Sequence, residues 1–203
     1  LMTVMEMGGR PLHRLRHGEV FASSDEMIAF LEALDWSLPW AAGSRTGAVV
    51  LFQHFNRLSG DPEAGAIIDA AVAWLVRNQD PDTGAWFRGG NVPPHQMING
   101  IMKIWIQLLA ITDLPVQYPE AVVDLCLRGL SDDPFLADRM DACSLFDVAL
   151  VLDVALQHCA HRYEEVSELA QALLPRFERF VRADGALSYF EDRSLDNHGG
   201  LHL

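Results

Sequence analysis

Positive charge is scarce in this chain. Fifteen Lys and Arg residues face 28 Asp and Glu, leaving a formal net charge of −13. A surface of that sign repels phosphate backbones, which argues against nucleic acid as a partner. The one basic cluster, Arg10, His13, Arg14, Arg16 and His17, reads as a solvated N-terminal arm, with anion binding as its alternative. Cysteine is scarce as well. Cys126, Cys143 and Cys159 sit in apolar helical contexts with no CxxC pair, so neither a zinc nor a redox motif is supported. Small buried thiols fit a reducing compartment, and the expected location is cytoplasmic. No apolar run reaches the roughly 18 residues of a membrane span, and no leader pattern opens the sequence. No cofactor is expected.

What the chain has is apolar side chains, which make up 50% of its 203 residues. That is enough for one core, and residues 1–203 are taken as a single domain with an arm over 1–22. The pattern beyond the arm is helical. Ser23 or Ser24 can cap a first helix that carries Asp25 and Glu26 in its first turn and is stopped by Pro39. Further helices are expected over about Gly43–Leu58, Glu63–Arg77, Gln96–Ile111, Pro119–Gly129, Asp141–His158 and Glu164–Arg182. Asn78–Pro94 and Leu130–Arg139 read as loops because Asp-Pro, Thr-Gly, Gly-Gly and Pro-Pro break helices. Residues Ala183–Leu203 read as loop with a short extended pair. The opening on Leu1 and the close on Gly199-Gly200-Leu201-His202-Leu203 suggest a piece of a longer reading frame.

The second and third helices, the fourth and fifth, and the sixth and seventh form three hairpins. Each begins with a nearly uniformly apolar helix and ends with an amphipathic one. The unit recurs about every 45 to 52 residues. Short connections force antiparallel neighbours, and the apolarity of every first helix favours a closed inner ring. The fold class is therefore all-α, with antiparallel helical hairpins forming an incomplete α/α toroid.

The loop Gln79-Asp80-Pro81-Asp82-Thr83-Gly84-Ala85-Trp86 resembles the QW-type repeat of the squalene and terpene cyclase and protein prenyltransferase superfamily. Gly84 suits a tight turn, Asp80 or Asp82 can bond turn amides, and Trp86 can pack back on the hairpin. A weaker echo runs from Arg182 to Tyr189, without the Gln and with Leu187 in place of the Trp. The resemblance implies an α/α toroid in which such a loop braces an outer helix against the next inner one. It does not fix the chemistry, because this fold serves hydrolases, lyases, cyclases and prenyltransferases alike.

In such toroids ligands enter where the inner helices begin. Trp40, Arg45, Arg139 and Asp141 are therefore expected to contact substrate. His95, Asn99 and Lys103, each four apart, make one polar stripe on an otherwise apolar helix. A lysine there is expensive unless paired or facing a cavity, and Asp147 is its plausible partner. These four are the candidate catalytic residues; the alternative is a structural Lys103–Asp147 pair. Cys143 beside Ser144 reads as packing rather than a nucleophile. His198 and His202 read as solvated rather than as metal ligands, and no metal is expected. The DxDD acid motif of class II cyclases and the Asp/Cys/His zinc set of prenyltransferases are not found. Asp141 and Asp147, six apart on one helix, point to different faces, which does not suit a glycosidase pair.

Two readings remain. One is an enzyme with a central-cavity site for a small molecule or sugar, of terpenoid-cyclase-like or carbohydrate-active type. The other is a non-catalytic helical-repeat module that binds a partner or assembles with itself. An incomplete ring would expose apolar end faces and favour a homo-oligomer.

Overall fold

The computed structural model of the chain describes residues 7–9, 13, 15, 21–138 and 140–191. Among them are eight helices and no strand: α1 Ser24–Ala33, α2 Pro39–Leu58, α3 Ala64–Asn78, α4 Pro94–Leu108, α5 Pro119–Asp132, α6 Pro134–Asp138, α7 Ala142–Leu156 and α8 Tyr163–Glu178. Seven answer to the helices expected from periodicity. The short α6 falls inside the expected loop 130–139.

The differences share a cause. Pro39, Pro94, Pro119 and Pro134 each occupy the first turn of a helix, where the missing N–H costs nothing. Pro39 therefore starts α2 rather than stopping α1, which ends at Ala33. Before Pro134, the Asp133 carboxylate accepts from the Phe135 amide at 2.9 Å and nucleates α6. At the other end, α8 stops at Glu178, after Pro175 inside it removes one backbone donor. The extended pair beyond it is a single bridge, Val181 to Leu187.

Helices α2, α4 and α7 form a row, with α4 packed against both others. Against this row lie α3 on α2, α5 on α4 and α7, and α8 on α7, while α1 packs on α3. The α2–α4 approach is set by glycine. A Cβ on Gly43 would stand 2.7 Å from the Gly100 carbonyl, and one on Gly100 would stand 2.9 Å from that of Pro39. The two backbones touch, which any side chain would prevent. Around them Trp36 stacks on Trp74 at 5.3 Å, and Trp86 and Trp105 are buried.

The loop after α3 is a dense hydrogen-bonded turn. Gly84 takes φ +68° and donates to the Asp80 carbonyl at 2.8 Å. The Asp80 carboxylate accepts from the Thr83 amide and hydroxyl and the Asp82 amide. Trp86 Nε1 donates to the Leu75 carbonyl in α3 at 2.8 Å. Gln79 Nε2 donates to the Gly84 carbonyl at 2.7 Å and the Gln117 carbonyl at 3.3 Å. Gly84 also rests on Val122 of α5. The brace thus ties α3 to α5 and the segment before it, not to the next helix of the central row. The echo forms a similar turn one residue shorter: Arg182 donates to Ala186, where Asp80 donates to Ala85, and Gly185 takes φ +83°. Both loops then return beside the start of a row helix. Arg88 donates to the Trp36 carbonyl before α2, and Ala142 of α7 donates to that of Tyr189.

Two described residues of the arm reach α2. The Leu15 amide donates to Asn56 Oδ1 at 2.7 Å, and Gln53 Nε2 donates to the Phe21 carbonyl at 2.9 Å. Asn56 is nine residues from Gly47, half a turn round the helix, so Leu15 meets a flank of α2 turned away from α4.

Candidate functional site

One polar cluster is buried between α4 and α7. Asp141 caps α7, its carboxylate accepting from the Ser144 amide at 2.7 Å. Cys143 and Asp147 come next at helical spacing, the thiol 3.9 Å from Asp147 Oδ1. Lys103, half-buried on α4, acts electrostatically on both. It is the one lysine in the sequence, and among the described residues it forms no ion pair within 4.0 Å. One turn before it, Asn99 is fully buried with neither amide atom hydrogen-bonded to the described protein. Asp147 Oδ2 and Ser144 Oγ are likewise buried and unpartnered. Native structures leave few such groups, so these three residues on two adjoining helices hold polar capacity in reserve.

Burial pushes the Asp147 carboxyl up to about 7. The Lys103 charge opposes that rise, and Asp141 adds to it. Burial, together with repulsion from Asp147, raises the Cys143 thiol and disfavours its thiolate. Tyr189 completes the group. Burial first, then its charge and hydrogen-bond coupling to Asp141, push the phenol above its ordinary range.

No protein-family model, no curated protein and no solved structure matches this chain.

Of the four expected catalytic residues, Lys103 lies near enough to Asp147 to act on its charge, with Asn99 on the same face of α4. His95 does not join them. Its amide and its Nδ1 both bond Asp133 Oδ2, at 3.0 and 2.7 Å, and its ring lies 4.9 Å from Phe135. A residue in the first turn has a free backbone donor, and a buried carboxylate at the end of α5 satisfies it together with the ring. Burial alone would raise Asp133; the bonds from His95 and Phe135 outweigh it and hold the carboxylate below its usual range. Arg45 turns to α1, its guanidinium 5.0 Å from the Phe30 ring centre. Trp40 is half-buried in the first turn of α2, apart from the cluster's two helices. Asp141 does reach the cluster, as its cap. Arg139, His198 and His202 lie outside the described residues. No three His, Cys, Asp or Glu among the described residues gather as a metal site, and no helix there is long and apolar enough to cross a membrane.

Sequence reasoning missed Tyr189. The echo turn that ends on it was visible; its return beside the start of α7 was not.

Proposed function

We propose that the protein is an incomplete α/α toroid of antiparallel hairpins, terpenoid-cyclase-like or carbohydrate-active in kind. In this reading α2, α4 and α7 are its inner helices and the Lys103–Asp147 cluster is its small-molecule site. One observation carries the reading: a fully buried carboxyl with an unpartnered oxygen, poised near pH 7, beside the one lysine in the sequence. A carboxyl so poised can give or take a proton at neutral pH, and a fixed ammonium beside it stabilises developing negative charge. The free amide of Asn99 offers a donor and an acceptor to a hydroxyl. The brace at Gln79–Trp86 and its echo at Arg182–Tyr189 support the architectural half of the reading, because a similar glycine turn follows both α3 and α8.

A titration of carboxyl carbon shifts, run alone and with neutral sugars or alkylammonium ligands, tests this. The expected result is an Asp147 midpoint near 7 that a bound ligand moves, and loss of that binding in Lys103→Met. Asp147 ionised at pH 5, or a cluster that no ligand of either kind perturbs, would reduce it to a structural pair. The second reading, a non-catalytic module that binds a partner or assembles with itself, is favoured by the apolar groove between α7 and α8.

A further inference from the structure

A cavity of about 610 Å³ opens between α7 and α8. Its floor is apolar: Leu145, Val148, Leu152 and Val166 are buried beneath it. Its lips are apolar and exposed, with Leu174 at 63%, Tyr163 at 56%, Phe146 at 48% and Phe177 at 40%. Leu156 is nine residues from Asp147, so the groove occupies the side of α7 opposite the polar cluster.

The charges around it have one sign. Asp153 is in the lining, and no cation is. Glu164 and Glu178 are exposed beside Tyr163 and Phe177. The cations in α8 and at its two caps are engaged elsewhere. Arg162 pairs with Asp124 and Glu165, Arg176 bonds the Leu136 and Ala137 carbonyls, and Arg179 faces Glu191. A second copy would bring the same acidic rim, and a net −13, against this one. An apolar trough with carboxylates at its edges complements the opposite pattern. From Leu145 to Leu156 it runs about 17 Å, three turns of helix.

We propose that the α7–α8 groove is a docking site for a basic amphipathic helix of a partner protein. Apolar anchors at i, i+4 and i+7 enter the trough, and flanking Arg or Lys meet Asp153, Glu164 and Glu178. Apolar burial supplies the affinity, and the acidic rim selects the partner and its orientation.

The probe is a synthetic peptide of about fifteen residues with Leu at i, i+4, i+7 and i+11 and Arg beside them. Two controls are the same composition scrambled and the same pattern with Glu for Arg. Calorimetry with the full chain should show the patterned basic peptide binding at least about tenfold tighter than either control, as expected when a few apolar anchors dominate. Methyl resonances of Val148, Leu152 and Leu169 should shift. Phe146→Ser with Leu174→Ser, both on exposed side chains, should weaken binding about tenfold or more while the helical circular dichroism is kept. Equal binding of the scramble would mean bulk charge attraction, and equal binding of the Glu peptide would remove the rim's role; either overturns the proposal. So would shifts confined to other helices, which the unmodified protein reports even if the double variant fails to fold. Sedimentation showing a dimer that the double variant dissociates would assign the groove to a second copy instead.

Discussion

A carboxyl that must stay buried is most at ease without its charge, and at Asp147 this ties stability to pH. Its folded-state value, about 7, lies above the ordinary aspartate value of about 3.9. The folded chain therefore holds a proton that the unfolded chain releases. This contribution to stability is complete below about pH 4 and is lost as the pH rises through about 7. Asp147→Asn removes the dependence. Relative to the unaltered protein, the variant should gain a few kcal/mol between pH 4.5 and pH 8, since each tenfold difference in proton affinity is worth about 1.4 kcal/mol. Urea unfolding at the two pH values measures it, and an unchanged gap would show that Asp147 is ionised throughout. The sequence marked Lys103 and Asp147 because charges on apolar helices are conspicuous. His95 was misjudged because periodicity aligns Cα positions and says nothing of a buried carboxylate arriving from 38 residues away.

Helices were legible where periodicity was long, and misjudged where one dipeptide carries two meanings. Asp-Pro breaks a helix before it and caps one after it, and only packing decides which. At 133–134 it does both, ending α5 and capping α6. The braces allow a comparison within one molecule. Gly84 and Gly185 both take positive φ, but a Cβ on Gly84 would stand 2.2 Å from Val122 Cγ2, whereas one on Gly185 meets nothing within 4 Å. Gly185→Ala should cost only the left-handed backbone, about 1–2 kcal/mol. Gly84→Ala should cost that plus overpacking, about 2–5 kcal/mol together. Thermal unfolding of the two variants compares them, and equal losses would show that the α5 contact has no energetic weight. The sequence announced the turn through its Gly and Asp. It could not announce Val122, because the contact depends on how two outlying helices lie.

For the whole molecule, the uniform apolarity of three helices marked α2, α4 and α7 as helices with neighbours on several sides, and each packs on two or more others. The groove beside α7 was not foretold: Leu169, Leu173 and Leu174 have the spacing of an ordinary buried stripe, and only the arrangement of helices shows that none of the described elements covers it. The brace has one more effect at this scale. Gln79 and Gln117 are 38 residues apart, and their hydrogen bond closes a circuit of chain in which α4 is enclosed from end to end. With both ends of that circuit held, and its backbone touching that of α2 at Gly43 and Gly100, α4 has little freedom to open by itself. The amides of α4 should therefore exchange with solvent at the rate of global unfolding, while those of α8, with Val166 its one buried residue, exchange far faster. Gln79→Ala should let α4 exchange ahead of the rest, turning one cooperative unit into two.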